Sequence, residues 1–137
     1  RAVGFDVREL DVEVMKSVEV ADGWRKRSVI YPVNVKRPRG VIVVEGFFDA
    51  ANVLKWLLES GRVKDYTVAA ICGNRVSTYH ASLFSEFDNI CCGFDNDRGG
   101  EVAVERLYQL LPERVFKRLI FAEKDPGASA SFSIVSL

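Results

Sequence analysis

The chain has 137 residues, 48% hydrophobic and 28% charged, with 19 Lys and Arg against 19 Asp and Glu. That length fits one domain with at most a small extension, and the apolar share is enough for a real core. Zero formal charge argues against a broad electrostatic footprint for nucleic acid, and no run is long enough to span a membrane.

The cysteines are Cys72, Cys91 and Cys92, an odd number without a CxxC pair, and His80 is the single histidine. This gives neither a disulfide framework nor a zinc site. All three sit in apolar runs and are expected to be small core residues of a reduced, cytoplasmic protein. Beginning at Arg1, the chain is expected to be a piece of a longer protein. Charge divides unevenly: residues 1–40 hold nine Lys and Arg against six acids, and residues 41–137 hold ten against thirteen.

Residues 1–40 read as a small β-rich lead-in that cannot stand alone. Val12, Val14, Val18 and Val20 mark β-prone stretches, Ala21-Asp22-Gly23 is a turn signal, and Ser28 to Tyr31 before Pro32 suits a strand. Lys36-Arg37-Pro38-Arg39-Gly40 is a basic connector. From Val41 the pattern becomes regular. A strand over 41–45 precedes a helix from about Asp49 to Ser60, with Val53, Leu54, Trp56, Leu57 and Leu58 as its apolar face and Gly61 as its stop. A strand over 67–72 follows, then a helix capped by Ser77 or Thr78 and running to about Phe87. A strand over 90–94 leads to a helix from about Gly100 to Leu111, with Val102, Ala103, Leu107, Leu110 and Leu111 turned inward and Pro112 ending it. A strand over 117–122 comes last, before a tail over 129–137 rich in Ser and Ala. Strands alternating with helices imply an α/β fold, a four-stranded, mainly parallel sheet with right-handed crossovers and helices covering it.

Acids close three of these strands. Val41–Val44 runs into Glu45-Gly46, with Asp49 three residues on. Ile90–Phe94 runs into Asp95-Asn96-Asp97-Arg98-Gly99-Gly100. Leu119–Ala122 runs into Glu123-Lys124-Asp125-Pro126. Ligands of open parallel sheets sit beyond the carboxyl ends of the strands. Glu45, Asp95, Asp97 and Asp125 are therefore expected to converge on one spot. Gathered carboxylates repel unless a cation joins them, and Mg2+ is the usual one. With an extended backbone past Phe94, Asp95 and Asp97 point to one side and Asn96 to the other. An EF-hand loop is rejected, because its twelfth position is Arg106 rather than Glu. No GxxxxGK[ST] or GxGxxG is present. A receiver domain also gathers acids and a Lys at strand ends, but its paired acids close the first strand rather than the third.

Glu45-Gly46-Phe47-Phe48-Asp49, then Asp95-Asn96-Asp97-Arg98-Gly99-Gly100, then Lys124-Asp125-Pro126 resemble the three signature blocks of the Toprim domain over roughly Val41 to Ala128. Toprim domains occur in bacterial DnaG-type primases, phage primase–helicases, topoisomerases and several nucleases. The helix after the second block and the Lys-Asp-Pro that follows most resemble the primase branch, and residues 1–40 resemble the end of a primase basal subdomain.

The resemblance implies metal-dependent nucleotidyl transfer, with short RNA made on single-stranded DNA from NTPs. Catalytic residues would be Glu45, Asp49, Asp95, Asp97 and Asp125. Glu45, Asp95 and Asp97 would hold one or two Mg2+ or Mn2+ ions, with Glu45 alternatively a general base. Lys36, Arg37, Arg39, Arg75 and Lys124 would meet nucleotide or nucleic acid, and a replicative helicase is an implied partner. Cleavage of phosphodiesters by a Toprim nuclease, or Mg2+ binding by a regulatory domain without catalysis, are the alternatives.

Overall fold

The computed structural model describes residues 38–73 and 75–137. The lead-in over residues 1–37, including Lys36 and Arg37, lies outside the described residues. The strands are β1 (Gly40–Val44), β2 (Tyr66–Ala70), β3 (Asn89–Cys92), β4 (Val115–Ile120) and β5 (Ser133–Ser136). The helices are α1 (Phe47–Glu59), α2 (Thr78–Phe84) and α3 (Arg98–Leu110), with 3-10 turns at Arg62–Lys64 and Pro126–Ala128.

The strands form one sheet in the order β2-β1-β3-β4-β5. The first four run parallel, and β5 pairs antiparallel with β4. The α/β, mainly parallel reading holds, but the sheet has five strands rather than four. The tail over 129–137 hides a strand because its apolar residues do not alternate with polar ones, and only the fold decides that Phe132 and Ile134 pack on the core while Val135 stays exposed. That is the pattern of a half-covered edge.

Burial alternates across the sheet with the two-residue period of a strand. Ile42 and Val44 pack with Ala50, Val53, Leu54 and Leu57 of α1 on one face. Val41 and Val43 pack with Phe84 of α2 and Ala103 and Leu107 of α3 on the other. A strand covered on both faces has to be apolar throughout, which accounts for the unbroken run at 41–44. Trp56 sits half-buried against that core, with the Phe132 ring tilted against it at 5.4 Å and the Arg62 guanidinium over it at 5.4 Å. Cys91 and Cys92 are buried and Cys72 half-buried, all as free thiols. Burial pushes the Cys92 thiol up to about 12.

Three helix boundaries move, α3 beginning at Arg98 rather than at about Gly100. α1 begins at Phe47, two residues early, because Asp49 accepts the Gly46 N–H at 3.2 Å and closes the first turn. α2 starts after its Ser77 cap and stops at Phe84, with His80 buried and its Nδ1 accepting the Ser77 N–H at 3.1 Å. Val102 departs from its expected place. The buried stripe of α3 is Gly100, Ala103 and Leu107, and Val102 lies about 100° around the helix from Ala103, leaving it 54% exposed. Among the described residues, no helix is long and apolar enough to cross a membrane.

The β-order places a switch point in the sheet. From β1 the chain goes out to β2 on one side, then returns to β3 on the other side of β1. The crevice at such a reversal, beyond the carboxyl ends of β1 and β3, is where open α/β sheets bind ligands.

Leu107→Ala is expected to cost about 2–5 kcal/mol by the cavity it leaves, while Val102→Ala stays within about 0.5 kcal/mol. Urea unfolding of the two variants checks the assignment of the α3 faces; equal losses would contradict it.

Candidate metal centre and active site

The parallel ladders carry on past the strand ends. Gly93 N–H donates to the Val43 carbonyl at 2.8 Å, and Ile71 N–H to that of Val44 at 3.0 Å. The residues that follow β1 and β3 therefore emerge side by side. Glu45 Oε2 accepts the backbone N–H of Asp95 at 3.0 Å, closing a separation of 50 residues in the chain. Asp95 Oδ1 is buried and has no hydrogen-bond partner.

Asp97 caps α3, its Oδ1 accepting the Gly100 N–H at 2.8 Å. β3 ends at Cys92, and the Asp97 N–H turns back to the Asp95 carbonyl at 2.9 Å. The two acids are thus brought near each other by a tight turn rather than by the pleat of a continued strand. Gly100 permits that turn. A Cβ there would lie 2.0 Å from the Asp95 carbonyl oxygen.

Asp49 is spent on the backbone. Its Oδ2 accepts the Gly46 N–H, and its Oδ1 accepts the Gly127 N–H at 2.8 Å. It joins the loop after β1 to the loop after β4. Asp125 caps the 3-10 turn, its Oδ1 accepting the Ala128 N–H at 2.9 Å. Lys124 is exposed on the same loop, and its carbonyl accepts the Asn96 N–H at 2.7 Å.

The charges of these acids act on one another. Burial pushes the Asp95 carboxyl up to about 6 from its ordinary 3.8, with further push from the neighbouring Glu45 carboxylate, then from Asp125 and Asp97. Burial also raises Asp49, helped by Asp95 and Asp125 and opposed by the Gly127 and Gly46 N–H groups. The structure thus brings together Glu45, Asp49, Asp95, Asp97 and Asp125.

The basic residues divide. Arg75 is exposed in the loop between β2 and α2, which leaves from the same sheet end as Glu45. Arg39 is not brought to the acids. It precedes the amino end of β1 and pairs with Asp88 at 3.1 Å. Glu45 comes six residues later along an extended run, roughly 20 Å away at the rise of a strand. Lys36 and Arg37 lie outside the described residues.

Two residues of the site gave no separate signal in the sequence. Asn52 Nδ2 donates to the carbonyls of Pro126 and Ser129, both at 2.8 Å. Asn96 Nδ2 donates to those of Phe121 at 3.1 Å and Glu123 at 2.7 Å. Asn96 turns onto the loop after β4, from a tight turn rather than from the extended strand that the spacing assumes.

Among the described residues, no three acidic, His or Cys side chains stand in ligating geometry around one point. Glu45, Asp49, Asp97 and Asp125 each give an oxygen to a backbone N–H. The donor set nonetheless fits a hard cation: all its members are carboxylates, and the buried, unpartnered Asp95 Oδ1 is an acceptor without a donor.

Gly100→Ala is expected to destabilise by about 1–3 kcal/mol, because overlap with fixed backbone outweighs a gain of about 1 kcal/mol in helix propensity. A urea midpoint at or above that of the parent would contradict the close packing at Asp95. The raised carboxyls also set a pH response. The folded state holds these protons more tightly than the unfolded chain, so metal-free protein loses stability as pH rises from about 4 to about 6. Asp95→Asn is expected to remove the larger part of that slope in urea titrations across the window; an unchanged slope would contradict it.

The family model of the Toprim domain matches residues 40–124, more than half of the chain. Among curated proteins no relative matches. Among solved structures, the primase fragment of the bacteriophage T7 primase-helicase protein is similar at a TM-score of 0.56 and 19% identity, over 75% of this chain and 43% of that one. A DNA primase domain from Pseudomonas aeruginosa is similar at a TM-score of 0.52 and 20% identity, over 78% of this chain and 35% of that one. The chain thus spans less than half the length of these neighbours, and at such identities the likeness is one of fold. The match across β1 to Lys124 takes in Glu45, Asp49, Asp95 and Asp97, and the chain belongs to the Toprim domain family.

Proposed function

We propose that this chain carries the catalytic core of a primase-type nucleotidyltransferase, which makes short RNA on a single-stranded DNA template from NTPs. The observation that carries the reading is the meeting of Glu45 and Asp95 at the sheet's switch point, with Asp95 Oδ1 buried and unpaired. Toprim membership and the primase-like fold of the neighbours support it.

Asp95 and Asp97 would hold Mg2+ or Mn2+, with Glu45 either completing the set or taking the proton of the attacking hydroxyl. Bound there, one or two such ions would stabilise charge on the attacking and leaving oxygens. In the transfer, the hydroxyl oxygen of one nucleotide forms a bond to the α-phosphorus of the next. The bond to pyrophosphate breaks, pyrophosphate leaves, and the hydroxyl proton passes to Glu45 or water. Lys124 and Arg75, exposed at the same sheet end, would bind phosphates of nucleotide or template. Asp125 would act on the same centre from the loop after β4, while Asp49 would hold that loop in place. In a longer protein, a replicative helicase is the expected partner.

Asp95→Ala and Asp97→Ala are expected to keep the fold and weaken Mn2+ binding by at least about tenfold in calorimetry, since each removes a charged ligand. Undiminished Mn2+ affinity in both variants would overturn the site. Template, NTPs and Mn2+ are expected to yield oligoribonucleotides. Nicking of labelled DNA or RNA without NTPs would assign the chemistry to a nuclease instead.

A further inference from the structure

The five acids come from three chain segments, and only part of their placement is fixed by the sheet. Glu45 and Asp95 follow adjacent parallel strands, so β-pairing holds them together. The segment bearing Lys124 and Asp125 follows β4, which lies one strand further from β1. It leaves the ladder after Ile120 and rejoins it only at Ser133. A connection of that length needs ties of its own to stand at a defined distance from the acids.

Two carboxamides supply them. Asn52 stands three residues after Asp49, on the same face of α1. Its Nδ2 bridges the carbonyls of Pro126 and Ser129. Asn96, between the two acids of the second block, bridges those of Phe121 and Glu123, and its own N–H reaches the Lys124 carbonyl. The first carboxamide grips the loop after Asp125 and the second grips it before Lys124. Asp49 adds a bond to the Gly127 N–H, within the span that Asn52 grips. Each amide N serves two carbonyls at hydrogen-bond distance, an arrangement that a carboxylate or an alkyl group of the same size cannot reproduce.

We infer that Asn52 and Asn96 are positioning residues of the metal centre: together they clamp the loop after β4 so that Lys124 and Asp125 face Glu45, Asp95 and Asp97 at a fixed distance. This rests on the metal-binding reading proposed above. Neither residue needs to touch metal or substrate. Their contribution is to hold the loop against the repulsion that Asp95 and Asp125 exert on each other. Groups that orient metal ligands typically alter metal affinity by about 10–100-fold when removed.

The test uses Asn52→Ala, Asn96→Ala and the near-isosteric Asn52→Leu and Asn96→Leu, which keep bulk but donate no hydrogen bond. Two readouts are taken on the chain: Mn2+ affinity by calorimetry, and hydrogen exchange at the Gly127 and Ala128 amides in metal-free protein. The expected result is faster exchange at both amides and Mn2+ binding weaker by about tenfold or more, in the Leu variants as in the Ala variants. Parent protein that binds Mn2+ alongside Leu variants of unchanged affinity would overturn the clamp alone. Parent protein that binds no Mn2+ would overturn the metal-binding reading and the clamp's role with it. Unchanged amide exchange in all four variants would show that the loop is held by other means and would also overturn the clamp. Should an Ala variant fail to fold, its Leu counterpart supplies the same comparison.

Discussion

The backbone N–H of Asp95, donated to Glu45 across the ends of two adjacent parallel strands, joins the two halves of the site and shows the constraint the fold has to meet. Like charges are gathered where they repel. Two full charges 4 Å apart near a protein surface repel by about 4 kcal/mol. A hydrogen bond to a charged acceptor returns about 1.5–3 kcal/mol. These magnitudes are comparable, so the acids can be gathered only if most of them are given N–H donors. The structure does this for Glu45, Asp49, Asp97 and Asp125. Asp95 is the member left with a buried, unpartnered oxygen, and it is also the one pushed furthest from its ordinary behaviour.

The rest of the architecture serves that arrangement. A parallel sheet covered on both faces fixes β1 and β3 side by side without help from the polar ends, because Val41 to Val44 and Ile90 to Cys92 are buried. The core thereby supplies the rigidity that the acidic end lacks. α1 and α3 start beside the acids, and their first-turn N–H groups are the donors that accept negative charge most readily. Asp97 on Gly100 is the direct case. The glycines have related work: a side chain at Gly100 would strike the Asp95 backbone, and one at Gly127 would lie 2.9 Å from Asp49 Oδ1.

The two aspartates of the second block divide the labour that their spacing alone made equal. Asp97 is tied down as a helix cap, whereas Asp95 carries the burial and the charge of its neighbours. Asp49 likewise uses both oxygens to join loops. A carboxylate in a signature block thus has two kinds of use, as a charge offered to a cation and as an acceptor that shapes the backbone around it. Arg39 is a contrast. Its place in a basic connector suggested phosphate binding, yet it stands at the amino end of the strand whose carboxyl end carries Glu45, and Asp88 takes its charge.

The sequence by itself determined the four parallel strands, the helices between them and the acids that close the strands. Each of these is a local pattern: apolar runs at Val41–Val44 and Ile90–Cys92, a 3.6-residue stripe at Val53, Leu54 and Leu57, and Gly or acid as punctuation. The tail strand at Ser133–Ser136 and the outward turn of Val102 were not legible, because each depends on which neighbour covers which face. Only the tertiary structure decided the strand order, and with it which strand ends meet, since hydrogen bonding between strands leaves no trace in the letters of either one. The same holds for Asn52 and Asn96: a carboxamide in a sequence is merely polar until the fold sets two carbonyls from a distant loop within its reach.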